Sequence, residues 1–331
     1  MQFRGFAIGV ALFRRVDVAD WRAVSGGERL SVGKENVMTA ITDLIDLERY
    51  PLDDADLISR TNAQLNDDGC VVLKGFIRPE KMAALVAEAE ASAAFGHRNF
   101  NRTNAYFTKD DPTLPKTHPL RRFYDRSNSF VPADNIGPDS LLRQIYELPA
   151  FTSFIKQALG ENIFYRYADP LADVVVNAAE TGGGFPWHFD TNNYTVTLAI
   201  QNAEQGGAFE YAPGLRTSTD ENYDGVEAVL DERSDKVKTI DLEPGDLQIF
   251  EGRYSLHRVT PLQGDRTRLI AIFSFVEYPD MVATSERCRQ LYGKVLPIHL
   301  ERAGMRMDEL VDLGEITLRV SRQPRPVCFL R

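Results

Sequence analysis

His188 stands two residues before Asp190, inside the stretch GGGFPWHFDTNNY at 182–194. The gap of two decides what the pair can do. Helix neighbours two apart point to nearly opposite sides, whereas strand neighbours two apart share a face, roughly 7 Å apart along the chain. The following run, YTVTLAIQ (194–201), is β-branched, aromatic and aliphatic, and reads as a strand. His188 and Asp190 are therefore expected on one face at the mouth of a sheet. Such a pair chelates a metal or forms an ordinary hydrogen bond.

The other histidines are His97, His118, His257 and His299. His257 lies in EPGDLQIFEGRYSLHRVT, which reads as strand, turn, strand. It is the natural third ligand. Two histidines and one carboxylate on one side of a metal leave up to three adjacent positions open, the facial triad of non-haem Fe(II) oxygenases. The alternative is a set of strand histidines satisfied by backbone carbonyls.

Arg266 and Arg268 follow in QGDRTRLIAIFSF. Arg268 opens an almost wholly apolar strand, and a guanidinium entering a core needs an anion. A dicarboxylate co-substrate would supply one in the bidentate geometry arginine favours. Arg266 lies nearer the turn at Gly264 and Asp265, where solvation is the simpler fate; being two apart, it shares a face with Arg268 and can assist it. Trp187, Asn192 and Tyr194 flank the motif, and Arg216 follows YAPG. All four are candidates for substrate contact, against the plainer reading of strand, turn and loop residues. The acidic run with Asp220, Glu221, Asp224 and Glu227 would attract a basic amine or form a solvated face.

The elements expected to position these residues come in three blocks. Residues 38–68 read as helical, CVVLKGF (70–76) as a strand, and RPEKMAALVAEAEASAAFG (78–96) as a helix with Met82, Leu85, Val86 and Ala89 along one stripe. Residues 97–137 read as irregular, and 139–160 as a helix broken near Pro149. From 162 short strands follow one another, NIFYRY, ADVVVNAA, YTVTLAIQ, GAFEYA, VKTIDL, DLQIF, LHRVT and TRLIAIFSFVEY, separated by ETGGG, EQGG, EPGD and QGDR. That spacing indicates a sandwich or barrel. The polar interruption at 213–236 has the length of a lid, a binding loop or a disordered segment. The expected organisation is a leader (1–35), a helical N-terminal part (36–160), a β core (161–279) and a helical tail (280–331), one catalytic domain overall.

Composition excludes several classes. With 331 residues, 43% hydrophobic and 26% charged, the chain reads as soluble and globular. No apolar run reaches the roughly 18 residues of a membrane span. The net charge of −10 and the lack of a Lys/Arg cluster argue against nucleic acid. Three scattered cysteines, Cys70, Cys288 and Cys328, with no CxxC fit a reducing cytoplasm and neither a disulfide framework nor a thiolate zinc site.

With His188, Asp190, His257 and Arg268 in this order, the chain resembles the Fe(II)/2-oxoglutarate-dependent dioxygenases. HFD, GGAFEYAPG, EPGDLQIFEG, LHRVT and RLIAIFSF carry the resemblance over roughly 160–278, and LNDDGCVVLKGFIRPEKMAALVAEAE (65–90) echoes the N-terminal strand and helix of that superfamily. The resemblance implies a double-stranded β-helix, a jelly-roll of the cupin type, within a mainly β chain with helices. It implies that His188, Asp190 and His257 hold Fe(II), that Arg268, with Arg266 beside it, grips the far carboxylate of 2-oxoglutarate, and that O2 is the second co-substrate. Within the superfamily the chain looks closest to hydroxylases and radical halogenases of free amino acids. In those halogenases a glycine or alanine replaces the carboxylate and halide fills the vacancy. Asp190 therefore implies hydroxylation of a small polar metabolite such as an amino acid. Desaturation, cyclisation or halogenation at the same iron, a non-catalytic jelly-roll module, and a zinc hydrolase are the rivals. A structural zinc site closes with four protein ligands, against the three found here, and a hydrolase has no need of the arginine.

Overall fold

The computed structural model describes residues 43–302. The expected leader, and the expected tail from 303 onward, lie outside the described residues. Helix α1 (Ala55–Asp68) starts where the Asp54 carboxylate accepts from Leu57 N (2.7 Å) and stops at left-handed Gly69. It buries Leu57, Thr61 and Leu65. The helix expected from residue 38 thus begins only at Ala55 within the described part. Residues 43–46 instead spend their backbone groups on 76–78: Asp46 N donates to Phe76 O and Arg78 N to Leu44 O. Strand β1 (Cys70–Leu73) and helix α2 (Met82–Ala93) follow.

Residues 97–137, expected to be irregular, contain β2 (His97–Thr103) and β3 (Tyr124–Val131), paired antiparallel along their length. Helices α3 (Leu141–Glu147) and α4 (Pro149–Ala158) meet at Leu148, whose extended ψ of 117° is what a residue before proline prefers. Then come β4 (Tyr165–Arg166), β5 (Val174–Ala179), β6 (Phe185–His188), β7 (Thr195–Gln201) and β8 (Phe209–Ala212). The 213–236 interruption is not wholly loop. Asn222 caps helix α5 (Tyr223–Leu230), whose Val226, Val229 and Leu230 form a buried stripe. Strands β9 (Lys238–Ile240), β10 (Leu247–Phe250), β11 (Leu256–Val259), β12 (Arg268–Phe273) and β13 (Phe275–Val276) complete the sheets, before α6 (Ser285–Tyr292) and α7 (Pro297–Glu301).

The major sheet runs β1-β10-β7-β12-β5-β3-β2, the minor sheet β6-β11-β8-β9, and β4 pairs with β13. Strand alternation splits the major sheet into two faces. Val174, Val176, Val196, Leu198, Leu247, Ile249, Leu269, Ala271 and Phe273 pack with Phe151, Phe154 and Ile155 of α4 in the main core. Each valine, leucine, isoleucine or phenylalanine among them contributes ~1.5–3 kcal/mol by leaving water. The alternate residues turn to the other face, where Phe250 of the major sheet packs with Phe209 and Tyr211 of the minor one. The two sheets therefore close on each other as the jelly-roll expected from the sequence, mainly β, with α4 backing the major sheet. The inner face is the less apolar one: Asn177, Thr197, Gln248 and Arg268 lie on it, all buried. A third cluster lies behind the minor sheet, where α5 covers Trp187, Phe189 and Leu256.

Candidate metal centre

His188 and His257 are direct cross-strand partners in the β6–β11 ladder, so their side chains stand on one face. Their rings are 4.2 Å apart, centre to centre. Strand β6 is an edge strand, which is why Pro186 is tolerated beside the ligand. The strand ends at His188; Phe189 N donates to Ala105 O and Asp190 N to Gly252 O (2.9 Å), which folds Asp190 back over the histidines. Asp190 Oδ1 lies 3.7 Å from His188 Nε2, and Oδ2 lies 3.6 Å from His257 Nε2. The ligand atoms of the three side chains are all within 4.8 Å of one another.

The second nitrogen of each ring fixes what the first offers. His188 Nδ1 sits 2.8 Å from Pro186 O, and His257 Nδ1 2.8 Å from Ser255 O. A carbonyl only accepts, so each Nδ1 carries the proton and each Nε2 presents a lone pair. Burial, then the neighbouring His257, pushes the His188 pKa well below its ordinary value, so its ring is neutral. For Asp190 burial opposes ionisation, but the carboxyl lies below its ordinary range, with the Thr195 hydroxyl donating to Oδ2. Two lone pairs thus face a carboxylate, acceptor against acceptor. That arrangement is favourable only with a cation between them. Donor-to-metal distances of about 2.1 Å suit donors about 3–4 Å apart, so the residues fit one divalent ion of the iron or zinc kind. Rings shield the histidines: Phe185 stacks on His188 at 5.5 Å, Phe107 lies 5.7 Å from it, and Phe250 meets His257 edge-on at 4.9 Å.

Arg268 opens β12 on the inner face, 6% exposed, and no carboxylate pairs with it among the described residues. Burial pushes its pKa down to about 10. Left-handed Gly207 (φ +83°) makes room for it: a Cβ there would come 3.2 Å from Arg268 Cδ. Asn177, on the neighbouring strand β5 in register with Ile270, leaves its buried Oδ1 without a partner. Arg266 is spent differently, on the carbonyls of Asn202 (2.7 Å) and Ala203 (3.1 Å).

A further arginine was not anticipated. Arg126 of β3 is 6% exposed and has no carboxylate partner among the described residues. Its guanidinium lies over the rings of Phe107 (5.0 Å) and Phe185 (4.9 Å), and Asn128 accepts from its Nε at 3.0 Å in the amide orientation that satisfies both groups. Burial, with Arg287 adding and Asp190 opposing, brings its pKa down to about 9. Phe107 holds a left-handed φ of 59°, imposed by buried Asn104, whose side-chain oxygen accepts from Tyr106 N and Thr108 N. Arg287 of α6 lies over the same ring at 4.7 Å. The signal was hidden because FYDRSNSFV is polar enough to pass for a loop.

The remaining candidates turn elsewhere. Trp187 and Phe189 alternate with His188 and so point behind the minor sheet; the Arg258 guanidinium lies 4.7 Å over Trp187. Arg216 stacks on Phe189 at 4.0 Å and pairs with Glu221 at 3.0 Å, both largely buried. It holds the 213–236 segment against the back of the metal-bearing strands. Tyr194 donates to Glu161 (2.6 Å). Asn192 sits half-buried in the turn between Asp190 and β7.

Residues 53–292 match the family described as Halogenase D. No curated protein matches the sequence. Among solved structures the chain is similar to the non-haem α-ketoglutarate-dependent epimerase SnoN of nogalamycin biosynthesis, with 17% identity over 68% of this chain and 84% of that one and a TM-score of 0.47. It is also similar to a prolyl-4-hydroxylase of Pseudomonas putida, with 17% identity over 65% and 97% of the chains and a TM-score of 0.42. A 2OG-Fe(II) oxygenase family member from Burkholderia pseudomallei gives 13% identity over 67% and 91%, with a TM-score of 0.43.

Proposed function

The chain belongs to the Halogenase D family, and with it to the Fe(II)/2-oxoglutarate-dependent oxygenases, and from that premise we propose that it hydroxylates an unactivated C–H bond of a small carboxylate-bearing metabolite such as a free amino acid. His188, Asp190 and His257 would hold Fe(II), and Arg268 would grip the far carboxylate of 2-oxoglutarate. Bound iron and 2-oxoglutarate supply O2-driven oxidation, with succinate and CO2 as co-products. The protein's own work is placement. Arg126, a buried cation with no carboxylate paired to it among the described residues, anchors the substrate's carboxylate within reach of the centre. Phe107 and Phe185 keep water from its guanidinium and from His188. Arg266, bound to two carbonyls, steadies the approach to β12. Trp187 and Arg216 act from behind, as supports of β6.

The observation that carries hydroxylation over halogenation is Asp190, a carboxylate aimed between the two histidine lone pairs. A halide has no vacancy to enter while it is there. The family's description favours the other reading, halogenation; desaturation and cyclisation use the same residues. The test is succinate formation with Fe(II), 2-oxoglutarate and a panel of amino acids, followed by product mass with and without chloride. Product heavier by one oxygen atom in both buffers is expected; chlorinated product from the unmodified protein would overturn the reading.

Residues 161–279 form the catalytic core of a single domain on this reading, with the described residues of the flanking parts, 43–160 and 280–302, packed around it. Buried, unpaired Cys70 and Cys288 suit a reducing cytoplasm. Among the described residues no helix is long and apolar enough to cross a membrane.

A further inference from the structure

We propose that Gly252 and Thr195 are positioning residues that hold Asp190 in the metal's ligand set, and so decide that the centre carries a protein carboxylate rather than an exogenous anion. The proposal rests on the reading of His188, Asp190 and His257 as ligands.

Gly252 lies in the turn between β10 and β11, and its carbonyl accepts from Asp190 N at 2.9 Å. It is not among the glycines with positive φ, so its backbone admits any side chain. Space is what forbids one. A Cβ would fall on Asp190 Oδ2, 2.7 Å from Thr195 Oγ1 and 2.9 Å from Asp190 Cβ, all inside ordinary van der Waals contact. Thr195, at the start of β7 and in register with Phe250, donates from Oγ1 to Asp190 Oδ2 at 2.5 Å. One residue leaves the room and the other fixes the oxygen that faces His257.

The location of the cost separates this role from a structural one. Asp190 ends in a carboxylate on rotatable bonds. Without metal the carboxylate can turn away from a methyl at 252, which leaves only the 2.9 Å approach to Asp190 Cβ for the turn to absorb. With metal bound it cannot, because both oxygens face the histidines. The penalty therefore falls on metal affinity far more than on the metal-free fold. Partners that orient a metal ligand typically change affinity by about 10–100-fold.

The experiment is Co(II) titration, with thermal melting of the metal-free protein alongside. Gly252→Ala and Thr195→Val should each weaken Co(II) by about 10–100-fold with a far smaller effect on the metal-free Tm, and Thr195→Ser should restore affinity. In an Asp190→Gly background, Gly252→Ala should cause no further loss of affinity, since the carboxylate it displaces is gone and the Thr195 hydroxyl, the one atom still in its way, has no ligand left to hold. Uptake by the unmodified protein that Gly252→Ala leaves unchanged would overturn this proposal alone, as would an equal loss in the Asp190→Gly background or a matching fall in metal-free Tm. No uptake at all by the unmodified protein would overturn the ligand reading and this proposal together.

Discussion

Two places in the described residues gather histidine, aspartate and a buried setting. One is His188, Asp190 and His257; the other is Asp169, Cys288 and His299. Residue type alone makes the latter as fit for a metal as the former. Hydrogen bonding says otherwise. His299 Nδ1 accepts from Leu296 N at 2.9 Å, so its proton sits on Nε2, which donates to Asp169 Oδ1 at 3.0 Å. Asp169 is saturated further by Leu171 N and Ala283 N, each at 2.8 Å. A metal at Nε2 would force a proton onto Nδ1, against the Leu296 N–H. The His188 site has carbonyls behind its rings and lone pairs in front; the His299 site has an N–H behind and a proton in front. The partner of the far nitrogen separates a coordination site from a structural clamp. Here the clamp fastens α7 to the chain ahead of β5, close to α6, which carries Arg287 to the centre.

The sharpest break of this comparison is His257→Ala or His188→Ala, which should abolish metal uptake and 2-oxoglutarate turnover with the fold intact. Turnover at full rate in either variant would remove that residue from the site. Asp190→Gly comes next: hydroxylation should fall steeply, and chloride should enter weakly at best, because the surroundings were shaped for a carboxylate. Product mass in buffers with and without chloride reads both effects. Arg268→Ala removes a charge-assisted contact worth about 1.5–3 kcal/mol, so the KM for 2-oxoglutarate should rise about 10–100-fold; Arg266→Ala should leave that KM unchanged, and the reverse result would exchange their roles. His299→Ala addresses the other cluster. It should lower stability by about 1–3 kcal/mol, by stranding buried Asp169, yet leave metal stoichiometry untouched, as denaturant melts and titration would read. The smallest effect concerns Cys288 and Cys70, whose thiols burial pushes up to about 12. At pH 8 both stay protonated, and native-state alkylation should be negligible.

The metal-bearing strands were legible because two periodicities coincide there: strand alternation brings His188 onto the inner face, and the turn EPGD marks the strand before His257. Burial of Arg268 was legible from the apolar run behind it. What stayed hidden is polar sequence stabilised by distant partners. HRNFNRT and YDRSNSFV have weak strand propensity, and pair because β5 offers β3 a ladder some fifty residues away in sequence. Arg126 was lost with them. Helix α5 was masked by acidic neighbours and a mid-helix glycine, though Asn222 and the spacing of Val226, Val229 and Leu230 were its signature. The candidate Trp187 shows the limit of proximity in sequence: adjacency along a strand means opposition in space.

Strand β1 closes one edge of the major sheet by pairing Cys70 with Phe250 and Leu73 with Leu247, residues separated by most of the folded part. A nascent chain cannot make that ladder until β10 has left the ribosome. Until then β1 is an apolar strand, CVVL, with both edges open and attractive to other chains. High contact order of this kind slows folding, because a long loop must close before any contact rewards it. Overexpression should consequently be limited by aggregation during synthesis more than by the stability of the finished fold, and slower translation or lower temperature should raise the soluble yield.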